Sequence, residues 1–177
     1  MHWLDTPRRY GLLSRVLHWI VALLMAWQFT GMAIKLILGK HPVSAFFVGT
    51  HGALGALLFC LIVIRAGWAL SNRRHRPAHD PGVVGLLARA GHLALYILML
   101  VVPALALLRA YGSGKGFSPF GLPLMPATGV KVDWMVAPAN AAHGFLAWTL
   151  LALIAGHIVM VIVHRNIWRD DVASRMI

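Results

Sequence analysis

The sequence predicts an all-α integral membrane protein, one domain of four helices bundled across a bilayer, and three observations carry that prediction. Four runs without Asp, Glu, Lys or Arg, at 16–34, 41–64, 90–108 and 134–164, are each 19 residues or longer, about what a helix needs to cross the hydrocarbon. Of the 177 residues 59% are hydrophobic and 12% charged, the balance of a membrane protein and not of a soluble domain. The basic residues flank the apolar runs, and the second run closes on Arg65-Ala66-Gly67-Trp68, an interfacial anchor of arginine and aromatic ring.

In chain order, residues 1–15, with Arg8, Arg9 and Arg15, form a basic lead-in expected to lie along the membrane surface. The run that follows is too long for the core of a cleavable signal and lacks a small-residue cleavage site, so it is expected to be a span of the mature chain. Helices are expected over about 15–38, 44–70, 85–111 and 138–166 within a single domain, 1–177. Gly39-Lys40-His41-Pro42 makes the first turn, and the basic, Pro-punctuated stretch 71–82 the second. Pro103 lies inside the third span and is expected to kink it. The longest connection runs from Tyr111 to Pro138, and its apolar, Pro-rich middle predicts an ordered cap over the bundle.

An even number of spans puts both termini on one side, which carries eleven Lys and Arg against five on the other, so the termini are expected in the cytoplasm. The net charge of +11 is accounted for by such anchors and by anionic membrane lipid, with no need for nucleic acid. Cys60 is the one cysteine, which excludes an internal disulfide, a CxxCH haem attachment and a dithiol centre. There is no Glu, and Asp5, Asp80, Asp133, Asp170 and Asp171 all lie outside the spans. Ion-coupled transporters place a carboxylate at membrane depth, and this chain has none to place there.

The histidines are the anomaly. His143 and His157 are 14 residues apart in the last run, about four turns, so both rings leave nearly the same face roughly 21 Å apart along the axis. His164 extends the stripe. A single intramembrane histidine can serve only as a hydrogen-bonded packing residue, but two at this spacing suggest two stacked cofactors. By depth, His18 at the start of the first span matches His157, and His51 near the start of the second matches His143. Each pair comes from two helices. Zinc wants three or four protein ligands, and neither Cys nor carboxylate stands at either depth. Two axial imidazoles suit a porphyrin iron held non-covalently, hence two haems of b type. Gly52, Gly55, Gly144 and Gly156 flank the ligand positions, where a flat ring needs close backbone approach, although glycine is also common at helix contacts in membranes.

These residues resemble the bacterial cytochrome b561 family, four-helix di-haem proteins related to the cytochrome b subunits of hydrogenases and formate dehydrogenases. The resemblance rests on Arg15-Val-Leu-His18-Trp19, His51-Gly-Ala-Leu-Gly55, Arg65, Gly91-His92-Leu-Ala-Leu-Tyr96, Pro119-Phe-Gly-Leu-Pro-Leu-Met-Pro126 and the histidines at 143, 157 and 164. It implies a multi-pass protein of the bacterial inner membrane with His18, His157, His51 and His143 as haem ligands. Short members of this kind resemble superoxide oxidases, which take electrons from superoxide at the outer face and reduce ubiquinone. The resemblance further implies a quinone site on the cytoplasmic side, for which His164, Arg165 and Trp168 are the candidates. An imidazole there can bond a quinone carbonyl and deliver a proton, or simply reach the interface. His92 is left as a propionate partner, a quinone-pocket residue or an alternative ligand to His18, expected not to bind iron itself. Arg15 and Arg65 are either propionate partners or positive-inside anchors. Lys35, Lys40, His41, Arg109, Lys115 and Lys131 face the outer side with Asp133 as the one acid; such a surface either steers a small anion or is the ordinary charge of a membrane interface. The alternative function is a haem b electron-transfer subunit joining quinone to a partner dehydrogenase, hydrogenase or periplasmic cytochrome.

Overall fold

The computed structural model describes residues 3–77 and 82–176; part of the expected 71–82 loop, with Asp80, lies outside the described residues. Four helices form as the apolar runs require: α1 (Leu12–Leu38), α2 (Pro42–Ser71), α3 (Gly82–Gly112) and α4 (Asp133–Ile162), the last running on into a π-helical turn, Val163–Trp168. All four are long and apolar enough to cross a membrane. Among the described residues the only bridge of β type joins Phe117 and Met125, so the architecture is the expected all-α bundle.

The helix ends follow from local chemistry. Gly11, before α1, passes so close to Leu4 that a Cβ there would meet its backbone at 2.5 Å. α1 stops at Gly39, whose φ of 58° only glycine adopts freely. His41 caps α2, its Nδ1 accepting from the Val43 N–H at 3.3 Å, and Pro42 takes the first helical position, where its missing donor costs nothing. Pro103 is carried inside α3. α4 departs from expectation by starting at Asp133, with Pro138 inside it and not ahead of it. The reason is tertiary: the Val132 N–H bonds Gly112 O at 2.8 Å, and Met135 packs on the Gly112 backbone. That anchors the helix start, and Pro138 costs one backbone bond in the second turn.

The connection from α3 to α4 is ordered. Phe117 and Met125 exchange backbone hydrogen bonds, and Gly114 O accepts from both Thr128 and Gly129. Phe117 thereby comes to rest over Gly52 of α2.

α1 packs along α2, α3 along α4, and α2 also meets α3. Val21, Met25, Leu58, Ile62, Met99 and Leu150 form the buried core, midway along the bundle. Large apolar side chains such as Leu23, Ile37, Leu93 and Phe145 point outward, a surface made for lipid and not for water.

The lead-in is tied to the face that carries both termini. Buried Asp5 accepts from the Gly11 N–H at 2.8 Å and the Ser14 hydroxyl at 2.9 Å, and Arg76 donates its Nε to the same carboxylate at 3.0 Å. Trp68 Nε1 bonds Ser14 Oγ at 2.9 Å, so one carboxylate links the chain start to the α2–α3 connection. Breaking a buried pair on one side leaves an uncompensated charge. Asp5→Ala is expected to destabilise the fold by about 3 kcal/mol, read as a lower melting temperature in detergent; an unchanged melt would show the cluster to be incidental.

Candidate functional site

Two layers of histidine stand inside the bundle. Toward the face formed by the α1–α2 turn and the long connection, His51 of α2 and His143 of α4 face each other with ring centroids 6.3 Å apart. Toward the terminal face, His18 of α1 and His157 of α4 lie 6.5 Å apart. Neither separation allows a ring-to-ring hydrogen bond, and each spans about two metal–imidazole bonds of 2 Å plus the two ring half-widths. Among the described residues no three His, Cys, Asp or Glu gather as a metal site. A metal held between either pair would have to bring its other ligands with it, as a porphyrin iron does.

The loop-face layer fits that group directly. A cavity of about 1030 Å³ is lined by His51, Gly52, Gly55, His143 and Gly144, with Phe117 over it. A side chain at Gly144 would meet nothing within 4 Å, so the space beside the ring is open. His143 Nδ1 lies 3.0 Å from Val102 O; the carbonyl can only accept, so Nδ1 carries the proton and Nε2 presents its lone pair, as metal-bound histidines do. His51 Nδ1 is buried without a hydrogen-bond partner. Lys35, Arg109, Lys115 and Lys131 line the same cavity toward the loop face, Lys131 paired with Asp133 at 2.6 Å.

The terminal-face layer is more crowded. Arg65 Nη2 reaches His18 Nδ1 at 2.9 Å while its guanidinium lies 5.2 Å over the Tyr96 ring. Arginine has no acceptor, so Nδ1 accepts, and His18 can offer Nε2 to a metal only once Arg65 turns to another anion or acceptor. His92 stands 5.4 Å from His157, closer than His18 does, with Nδ1 2.7 Å from Ala88 O. Arg15 Nε is buried without a partner.

His164 lies apart from both layers, in the π-helical turn. Its Nδ1 is 2.6 Å from Asp170 Oδ2 and its ring 4.6 Å from Trp168, edge to face. Arg165 and Trp168 are exposed on that turn.

Two residues escaped the sequence reasoning. Gln28, buried in α1, donates Nε2 to His51 O at 3.0 Å and lines the cavity; its signal was that it is the one glutamine, set inside an apolar run. Asp170 lies beyond the last span, and only the tertiary turn brings it back to His164.

The family model described as prokaryotic cytochrome b561 matches residues 9–177. The chain is 32% identical over 187 aligned residues to cytochrome b561 homolog 2 of Escherichia coli (strain K12), covering 100% of this chain and 95% of that one. It is 26% identical over 176 residues to the probable superoxide oxidase CybB of Yersinia pestis, covering 96% of each.

The Asp170 contact has a pH signature. Burial acts to raise this carboxyl, but the hydrogen bonds from His164 and the Val172 N–H outweigh it and hold it below the ordinary 3.8. A folded value below the unfolded one stabilises above the unfolded value and is lost as pH falls through the folded one. The C-terminal turn is therefore expected to hold at neutral pH and to loosen below pH 3.8. Faster exchange of the Val172 amide, corrected for its intrinsic rate, would report it; constant protection through that range would contradict it.

Proposed function

We propose, given that this chain belongs to the prokaryotic cytochrome b561 family of haem b electron carriers in the bacterial inner membrane, that it oxidises superoxide to O2 and reduces ubiquinone. The observation that carries this reading is the cavity beside His51 and His143 with Lys35, Arg109, Lys115 and Lys131 around its loop-face end. The name of the Yersinia pestis relative, probable superoxide oxidase, supports the same substrate. With the termini in the cytoplasm, as the Lys and Arg asymmetry favours, that cationic end faces the periplasm.

When bound, two b haems supply one-electron carriers at two depths. His51 and His143 would hold the outer one, with Gly144 leaving room beside it. His18 and His157 would hold the inner one, with Arg65 released from His18 Nδ1 to pair with a propionate and Arg15 Nε available to a second. His92, close to His157, borders that inner group without binding its iron. Around the outer mouth the four cations raise the local concentration of a small anion and speed its arrival. At the terminal face the exposed Trp168 offers an apolar plane to a quinone head, Arg165 a cation, and His164 a proton for the carbonyl.

The deciding experiment supplies superoxide to the purified haem protein. The b-type absorbance is expected to become reduced, and added ubiquinone to reoxidise it. No reduction under the flux, with reduction by a quinol or a partner protein instead, would favour the electron-transfer subunit reading. Lys115→Gln with Lys131→Gln is expected to slow reduction by superoxide about tenfold at low salt and less at high salt. Equal rates at both ionic strengths would remove the steering role. His143→Ala is expected to keep one haem of two and His92→Ala to keep both; a His92→Ala protein lacking the inner haem would reassign the ligand.

A further inference from the structure

We infer that Asp170 is the positioning residue for proton delivery at the terminal-face quinone site, its carboxylate fixing His164 by Nδ1 so that Nε2, on the opposite side of the ring, is the proton donor. This rests on the reading that quinone is reduced beside His164.

The backbone is shaped for this contact. α4 widens into a π-helical turn over Val163–Trp168, a departure that recurs at functional sites. Arg169 then adopts φ 54°, ψ 37°, a left-handed conformation that costs a non-glycine residue energy. That residue reverses the chain, so the Asp170 N–H bonds His164 O at 3.2 Å and its Oδ2 meets His164 Nδ1 at 2.6 Å. The other oxygen accepts from the Val172 N–H at 3.1 Å, so the carboxylate is held at both ends. The His164 side chain is 12% exposed and that of Asp170 32%: the imidazole is enclosed while its partner reaches water. The charged groups nearby are Asp171, paired with Arg175 at 2.6 Å, and Arg165 and Arg169 of the same turn.

The chemistry balances. Two superoxide ions each give up one electron and leave as O2; the quinone takes two electrons and two protons to become the quinol. At one carbonyl the His164 Nε2–H bond breaks as the O–H bond forms, and the ring keeps its Nδ1 proton on Asp170. Water at the terminal face reprotonates Nε2 and supplies the second proton. Without the carboxylate the imidazole is free to turn or to take the other tautomer, the two things the aspartate of a Ser-His-Asp triad prevents at its histidine.

The test uses chemically reduced haem protein mixed with a soluble ubiquinone analogue, which leaves superoxide out of the measurement. Asp170→Asn is expected to lower the rate of reoxidation at saturating quinone by at least tenfold with little change in the quinone KM, and to leave the haem content intact. Asp171→Asn, at the neighbouring ion pair, is expected to match the unaltered protein. Asp170→Glu is expected to recover part of the rate. If Asp170→Asn reoxidises like the unaltered protein, or raises KM alone, the inference fails while the quinone reading stands. If the unaltered protein is not reoxidised by quinone at all, it is the quinone reading that fails. Loss of haem from Asp170→Asn but not from Asp170→Glu, with the Glu variant at full rate across the pH range, would make Asp170 a structural cap and overturn the inference.

Discussion

An imidazole in hydrocarbon must find something polar to face, and the arrangement of the four helices follows from meeting that demand twice on one helix. α4 carries His143 and His157 four turns apart, so the helices that answer them must present their own polar groups at two different depths. α2 supplies His51 near its start and α1 supplies His18 near its own, at opposite ends of the bundle because the two run antiparallel. The outward faces of the same helices are free of such demands and are simply greasy.

The two layers are not equivalent. At the loop face the helices stand away from Gly144, and a cavity results. At the terminal face Arg65 fills the gap, bonded to His18 and stacked over Tyr96. The terminal face is also the more tightly stitched, since Asp5 binds the chain start to Ser14 and Arg76 and the Tyr10 N–H bonds Arg175 O at 3.2 Å, joining the two ends of the chain. A cation-lined mouth at one end and a braced face at the other make the two ends of the bundle chemically unlike.

Much of this was legible in the sequence because bilayer length and helix period are strong rules. The uncharged runs located all four helices, and a 14-residue spacing sufficed to place His143 and His157 at separate depths. What the sequence left open depends on tertiary contact. Pro138 reads as a helix breaker, and only the bond from Val132 to Gly112 explains why α4 begins ahead of it. His92 sits at the right depth for several roles, and its approach to His157 is set by how α3 packs on α4, which no periodicity specifies. Asp5 and Arg76 are 71 residues apart, and in sequence each is one more charge in a polar stretch. Asp170 is reached through a left-handed arginine, a conformation that residue type argues against.

The apolar layer of Val21, Met25, Leu58, Ile62, Met99 and Leu150 separates the two histidine levels, and it is an insulator in one sense only. The six side chains themselves carry no hydroxyl, carboxyl or amide along which hydrogen ions could hop. An electron passed between haems held at the two levels, as proposed above, would cross this layer without a proton beside it. Work of about 2.3 kcal/mol per charge per 100 mV attaches to a full crossing, so on that reading the energised state of the cell envelope would bear directly on how readily the two ends of the molecule communicate.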